Sequence, residues 1–108
     1  MKSIKHFFDR EQNLLVHIIA AVFVILLGII IKLDITEWLL VLFAIGFVIT
    51  CELINSAVEL TVDLYTKKFN SLAMVAKDTA SAGVLVSAIT ALIIGTTIFI
   101  PKILNIIN

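Results

Sequence analysis

This sequence predicts an all-α membrane protein, and three observations predict it: three long apolar runs, a hydrophobic content of 61%, and charges gathered beside the runs rather than inside them. Soluble domains use about 45–50% apolar residues, so a water-soluble fold of this size has too little interior to hide such a surface. Residues 14–31 are apolar except for His17. About 18 residues at ~1.5 Å each cross a hydrocarbon core of ~30 Å, which makes this run the first span. A polar turn at 32–37 follows, and Trp38 stands just after it, where an indole anchors at the membrane interface. The second span covers about 38–54. Its helical pattern continues through Thr66 with polar residues at regular intervals, so this helix is expected to protrude into the cytoplasm. Lys67, Lys68, Phe69, Asn70 and Ser71 break the pattern, a helix resumes before Lys77, and residues 82–100 form the third span, which Pro101 is expected to end.

The chain reads as one membrane-integral domain, residues 1–108, without internal repeats or linkers. Lys2, Lys5 and Arg10 precede the first apolar run as in a signal peptide, but the run is long enough to span and two more follow, so it reads as a retained helix. The positive-inside rule places the N-terminus and the Lys67/Lys68 loop in the cytoplasm, which leaves the termini on opposite sides. Eight basic and eight acidic residues cancel, so no basic surface is available for nucleic acid. The single Cys51 lies in an apolar run and reads as a packing residue. Gly28, Gly46, Gly83 and Gly95 are too scattered for a Walker loop or a G-x-G-x-x-G turn and read as helix-packing positions.

The segment CELINSAVELTVD, residues 51–63, carries the chemistry. At ~100° per residue, Glu52, Asn55, Ser56, Glu59 and Asp63 share about a third of the helix circumference, while Leu53, Ile54, Val58 and Leu60 take other faces. An ionisable group at membrane depth costs roughly 2.5 kcal/mol or more unless it is paired or faces water, so this stripe is expected to line a polar cavity. Two further groups face the same surface if the N-terminus is cytoplasmic: Arg10, Glu11, Gln12 and Asn13 before the first span, and Lys77, Asp78 and Ser81 before the third. Together Glu11, Glu52, Glu59, Asp78 and Lys77 supply what phosphoryl transfer requires. Carboxylates hold Mg²⁺, a base takes a hydroxyl proton, and a cation meets the phosphate. The blander readings are a solvated stripe for Asp63, a snorkelling anchor for Lys77 and a solvated loop pair for Lys67 and Lys68. One histidine at the depth of His17 makes no metal site, although it can hydrogen-bond a neighbouring helix or a lipid head group.

The run 51–63, the triplet Ala76, Lys77 and Asp78, and the closing Phe99, Ile100, Pro101 and Lys102 resemble the small prokaryotic membrane diacylglycerol kinase and undecaprenol kinase family. The pattern E-h-h-N-[ST]-A-h-E-x-x-h-D, with h hydrophobic, is matched from Glu52 through Asp63, and Arg10 to Asn13 with His17, Thr36, Glu37 and Trp38 look like its Gram-positive, undecaprenol-preferring branch. The resemblance implies a multi-pass protein of the plasma membrane, a homotrimer with active sites shared between subunits at the cytoplasmic interface, using ATP and Mg²⁺ to phosphorylate a lipid hydroxyl. It implies Glu52 as general base, Glu11 and Glu59 as metal ligands that also meet ATP, and Asn55 with Asp63 as positioning groups. Lys77 and Asp78, with Lys68, Phe69 and Asn70 of the loop, would contact the nucleotide. Asn13, Leu14, Leu15, Val16, His17 and Ser81 would border the lipid, together with Glu52. Two departures stand out. The family's short N-terminal surface helix is represented by residues 1–8 alone, with little of its pattern, and the usual acidic-aromatic-His-Pro loop reads Lys68, Phe69, Asn70, Ser71. Two rival readings are a small proton-coupled transporter or channel, and a catalytically inactive membrane scaffold. Transport chemistry favours a carboxylate near mid-membrane, whereas the acids here cluster at the end of the second span.

Overall fold

The computed structural model describes residues 12–108, which form three helices: α1 (Gln12–Ile31), α2 (Ile35–Tyr65) and α3 (Ser71–Ile107). All three are long and apolar enough to cross a membrane. α2 and α3 far exceed the ~30 Å core at ~1.5 Å per residue, so both carry their polar ends well clear of it. The expected surface helix lies outside the described residues. Only 17%, 28% and 17% of the apolar windows in α1, α2 and α3 are buried within the chain, so most of the apolar surface is left for lipid or other protein to cover.

The α1–α2 connection is narrower than the polar segment suggests. Residues 32–34 make the turn, and Thr36 and Glu37 already belong to α2. α1 closes with the amide of Lys32 donating to the Ile29 carbonyl (3.3 Å) and that of Leu33 to the Gly28 carbonyl (3.2 Å), a Schellman arrangement with Lys32 in the left-handed position at φ 60°. Asp34 then caps α2. Its carboxylate accepts from the Glu37 amide (2.9 Å) and the Glu37 side chain accepts from the Asp34 amide (3.0 Å), a reciprocal capping box.

Trp38 does more than anchor at the interface. It is half-buried and packs against a cluster of Leu33, Val41, Ile98 and Phe99. Its indole and the Leu33 side chain lie over Gly28 so closely that a Cβ there would meet Leu33 Cδ1 at 2.9 Å and Trp38 Cη2 at 3.0 Å. The expected stop at Pro101 is not observed, since α3 runs through it to Ile107. Proline removes one backbone hydrogen bond, but in apolar surroundings ending the helix would strand several more polar groups. The continuation also brings Lys102 Nζ to within 3.0 Å of Glu37 Oε1, which ties α3 to the start of α2.

α2 packs mainly on α3, and α1 packs more lightly on α2. The buried face of α2 repeats at helical spacing through Val41, Ala44, Val48, Glu52 and Ser56. Opposite it, Ser87 of α3 is fully buried, a small residue suited to close helix approach, and its hydroxyl donates to the Val84 carbonyl at 2.7 Å. The hydroxyls of Thr61, Thr79, Thr90 and Thr96 likewise donate to carbonyls four residues back, so none needs an external partner.

Gly28→Ala is expected to destabilise the protein by about 1–3 kcal/mol, because the new methyl overpacks the Leu33–Trp38 contact. Thermal unfolding in detergent measures it, and an unchanged midpoint would refute the close packing.

Candidate active site

The polar half of the α2 face is built as its periodicity predicts. Glu52 and Ser56 are buried, Asn55, Glu59 and Asp63 are half-buried, and Leu53, Ile54 and Leu60 are exposed on the outer faces. Glu52 is 3% exposed, an extreme value for a carboxylate. Its Oε1 lies 3.2 Å from Nε2 of His17 on α1. The Ser56 hydroxyl donates to the Glu52 backbone carbonyl (3.1 Å) and leaves the carboxylate alone. One turn on, Asn55 Nδ2 donates to Glu59 Oε1 at 3.3 Å, while Asn55 Oδ1 is buried with no hydrogen-bond partner among the described residues.

α3 joins the same end. Lys77 Nζ meets Asp63 Oδ1 at 2.7 Å, so the expected phosphate-binding cation is held by the last acid of the α2 stripe. With the His17–Glu52 contact, this places the start of α1, the second half of α2 and the start of α3 side by side. Asp78 and Ser81 are exposed, and among the described residues neither makes a side-chain hydrogen bond or ion pair with the stripe. In the loop, Phe69 and Lys68 are exposed, and the Lys68 amide donates to Thr66 Oγ1 (3.1 Å). Asn70 has a structural task as N-cap of α3, its side chain accepting from the Ala73 amide at 3.1 Å. Glu11 lies outside the described residues. Of the residues expected to border the lipid, Asn13, Leu15 and Val16 are exposed, Leu14 is buried, and His17 turns to Glu52.

Among the described residues no three His, Cys, Asp or Glu side chains converge as a metal cluster. The donor chemistry nevertheless suits Mg²⁺, because a carboxylate (Glu59) and an unpartnered amide oxygen (Asn55) sit together as hard oxygen ligands.

A feature the sequence did not disclose is an apolar groove of about 440 Å³ running between the three helices. His17 stands at one end of it, and Ala20, Val24, Val48, Ala91 and Leu92 are among its walls. Small side chains on α1 and α3 create the space, but their convergence depends on helix rotation and is not readable from spacing.

A membrane-spanning bundle that buries a carboxylate against the histidine at one end of an apolar groove, with further acids and a lysine nearby, has the build of an enzyme acting on a lipid. Comparison with known proteins gives the family. The sequence model for prokaryotic diacylglycerol kinase matches residues 1–99. An undecaprenol kinase of Bacillus subtilis is 44% identical over 92 residues, covering 85% of this chain and 75% of the relative. A diacylglycerol kinase of Synechocystis is 30% identical over 95% of this chain and 59% of its own length, and one of Helicobacter pylori is 39% identical over 67% and 56%. The chain thus spans little more than half of these two diacylglycerol kinases. It belongs to the prokaryotic diacylglycerol kinase family and is a lipid kinase. Neither the transporter nor the scaffold reading is favoured by these matches.

The Lys77–Asp63 pair is partly exposed, so a double-mutant cycle of Lys77→Ala and Asp63→Ala is expected to return a stability coupling of only about 0.2–1 kcal/mol. A coupling well above that range in thermal or denaturant unfolding would mean that the pair is a principal tie between α2 and α3.

Proposed function

We propose that the protein transfers the γ-phosphoryl group of ATP to the hydroxyl of undecaprenol, with diacylglycerol as the alternative acceptor, at the cytoplasmic face of the plasma membrane. The observation that carries this reading is Glu52, buried against His17, which in turn stands at one end of an apolar groove whose walls suit a hydrocarbon chain. The preference for undecaprenol draws on the 44% identity to the Bacillus enzyme named for that activity.

Glu52 takes the hydroxyl proton as the alcohol oxygen attacks phosphorus in line with the departing ADP. Glu59, with Asn55 beside it and Glu11 from the N-terminal segment, would hold Mg²⁺, which when bound would neutralise charge on the triphosphate. Lys77 exchanges Asp63 for a phosphate oxygen, and Asp63 keeps the ammonium in place before ATP arrives. Asp78 and the loop residues Lys68, Phe69 and Asn70 border the nucleotide, and residues 13–16 and Ser81 border the lipid. Three helices cannot enclose a lipid and a nucleotide together, and so much uncovered apolar surface is consistent with a homotrimer whose subunits complete each other's sites.

The test is a kinase assay on purified protein with labelled ATP, offering undecaprenol and diacylglycerol side by side. Label is expected in undecaprenyl phosphate at the higher rate, and no transfer to either lipid would overturn the proposal. Glu52→Gln is expected to abolish turnover with ATP binding retained, and Glu59→Gln to raise the Mg²⁺ concentration for half-maximal rate by about tenfold or more. Wild-type rates in both variants would refute the roles assigned.

A further inference from the structure

We infer that His17 is the positioning residue for the general base: it fixes one oxygen of Glu52 so that the other is presented to the lipid hydroxyl. The inference rests on the proposed role of Glu52 and assigns His17 a task other than bordering the lipid.

The geometry is specific. His17 Nε2 lies 3.2 Å from Glu52 Oε1, a contact between helices that pack only lightly elsewhere. An ionised carboxylate only accepts hydrogen bonds, so Nε2 carries the proton and donates it. Among the described residues no other side chain bonds the Glu52 carboxylate. Ser56 takes the backbone carbonyl and Asn55 is committed to Glu59. Glu52 therefore has one oxygen held and the other, Oε2, without a described partner.

His17 also heads the groove, where an alcohol whose chain lies between the helices would place its oxygen. α2 presents Glu52 to His17, and the groove walls contributed by α3, Ala91, Leu92 and Thr96 among them, contain no titratable group. In the reaction the lipid O–H bond breaks and its proton passes to Oε2. The alcohol oxygen bonds phosphorus as the bond to ADP breaks, and ADP leaves with the electron pair. His17 neither gains nor loses a proton. Its contribution is to fix the orientation of a carboxylate that no other described side chain hydrogen-bonds, and misplacement by about 1 Å costs up to about a hundredfold in rate.

The experiment measures kcat and KM for ATP and lipid in wild type, His17→Ala, His17→Phe, His17→Gln and Glu52→Gln. His17→Phe fills the space without an N–H, which guards against a cavity that prevents His17→Ala from folding. His17→Gln restores a donor of similar reach. The alanine and phenylalanine variants are expected to lose about 10–100-fold in kcat, with both KM values within about twofold of wild type, and glutamine is expected to recover most of the rate. Wild-type kcat in His17→Phe overturns the inference. So does a rise in lipid KM at constant kcat, which marks a substrate contact, or equal loss in glutamine and phenylalanine, which marks proton transfer by the imidazole. An active Glu52→Gln would instead remove the proposed role of Glu52, whereas an inactive one beside fully active His17 variants removes only the role of His17.

Discussion

The burial of the Glu52 carboxylate governs the arrangement of the molecule. A carboxylate at 3% exposure in a helix that crosses a membrane is tolerated only with a partner, because desolvation alone costs roughly 2.5–3.5 kcal/mol even on lenient scales. That need is met by His17, which turns that side of α1 inward. With His17 turned inward, its helical neighbours Ala20, Ala21 and Val24 line the groove, while Ile19, Val22 and Phe23 face outward. This polar contact near one end of α1 and the close seat of Gly28 beneath Trp38 near the other thus fix its rotation together.

The two ends of the bundle are built on different physics. Away from the site, the Leu33, Val41, Ile98 and Phe99 cluster, the Trp38 indole over Gly28 and the Lys102–Glu37 pair lock the helices by packing, a capped turn and one ion pair. Towards the site the same α2 face turns polar, and apolar interdigitation gives way to individual contacts, Glu52 with His17 and Asp63 with Lys77. The packed end holds the stems of α2 and α3 together, so the fold does not rest on the few contacts at the polar end.

The spans and the polar stripe were legible in the sequence because each rests on a local period. Eighteen or so consecutive apolar residues mark a membrane helix, and a spacing of three and four places Glu52, Asn55, Ser56, Glu59 and Asp63 on one face whatever their neighbours are. The expectations that failed, or that could not be formed, depend on other helices. Pro101 reads as a stop in isolation, yet α3 continues because breaking it would leave more backbone unsatisfied and would withdraw Lys102 from Glu37. Trp38 reads as an anchor until Gly28 is brought beneath it. His17 was singled out as the polar interruption of an apolar run, but its choice of Glu52 over a lipid head group needed the position of α1 against α2.

The groove has a kinetic implication. Leu92 and Ile100 line it and are also exposed on α3, so its wall is continuous with apolar surface left for lipid or another subunit to cover. Where lipid covers that surface, a greasy alcohol can slip in sideways from the surrounding leaflet without passing through water. The quantity that sets the encounter rate is its surface density among the lipids, so diluting vesicles in buffer leaves turnover per enzyme unchanged, and adding inert phospholipid slows it.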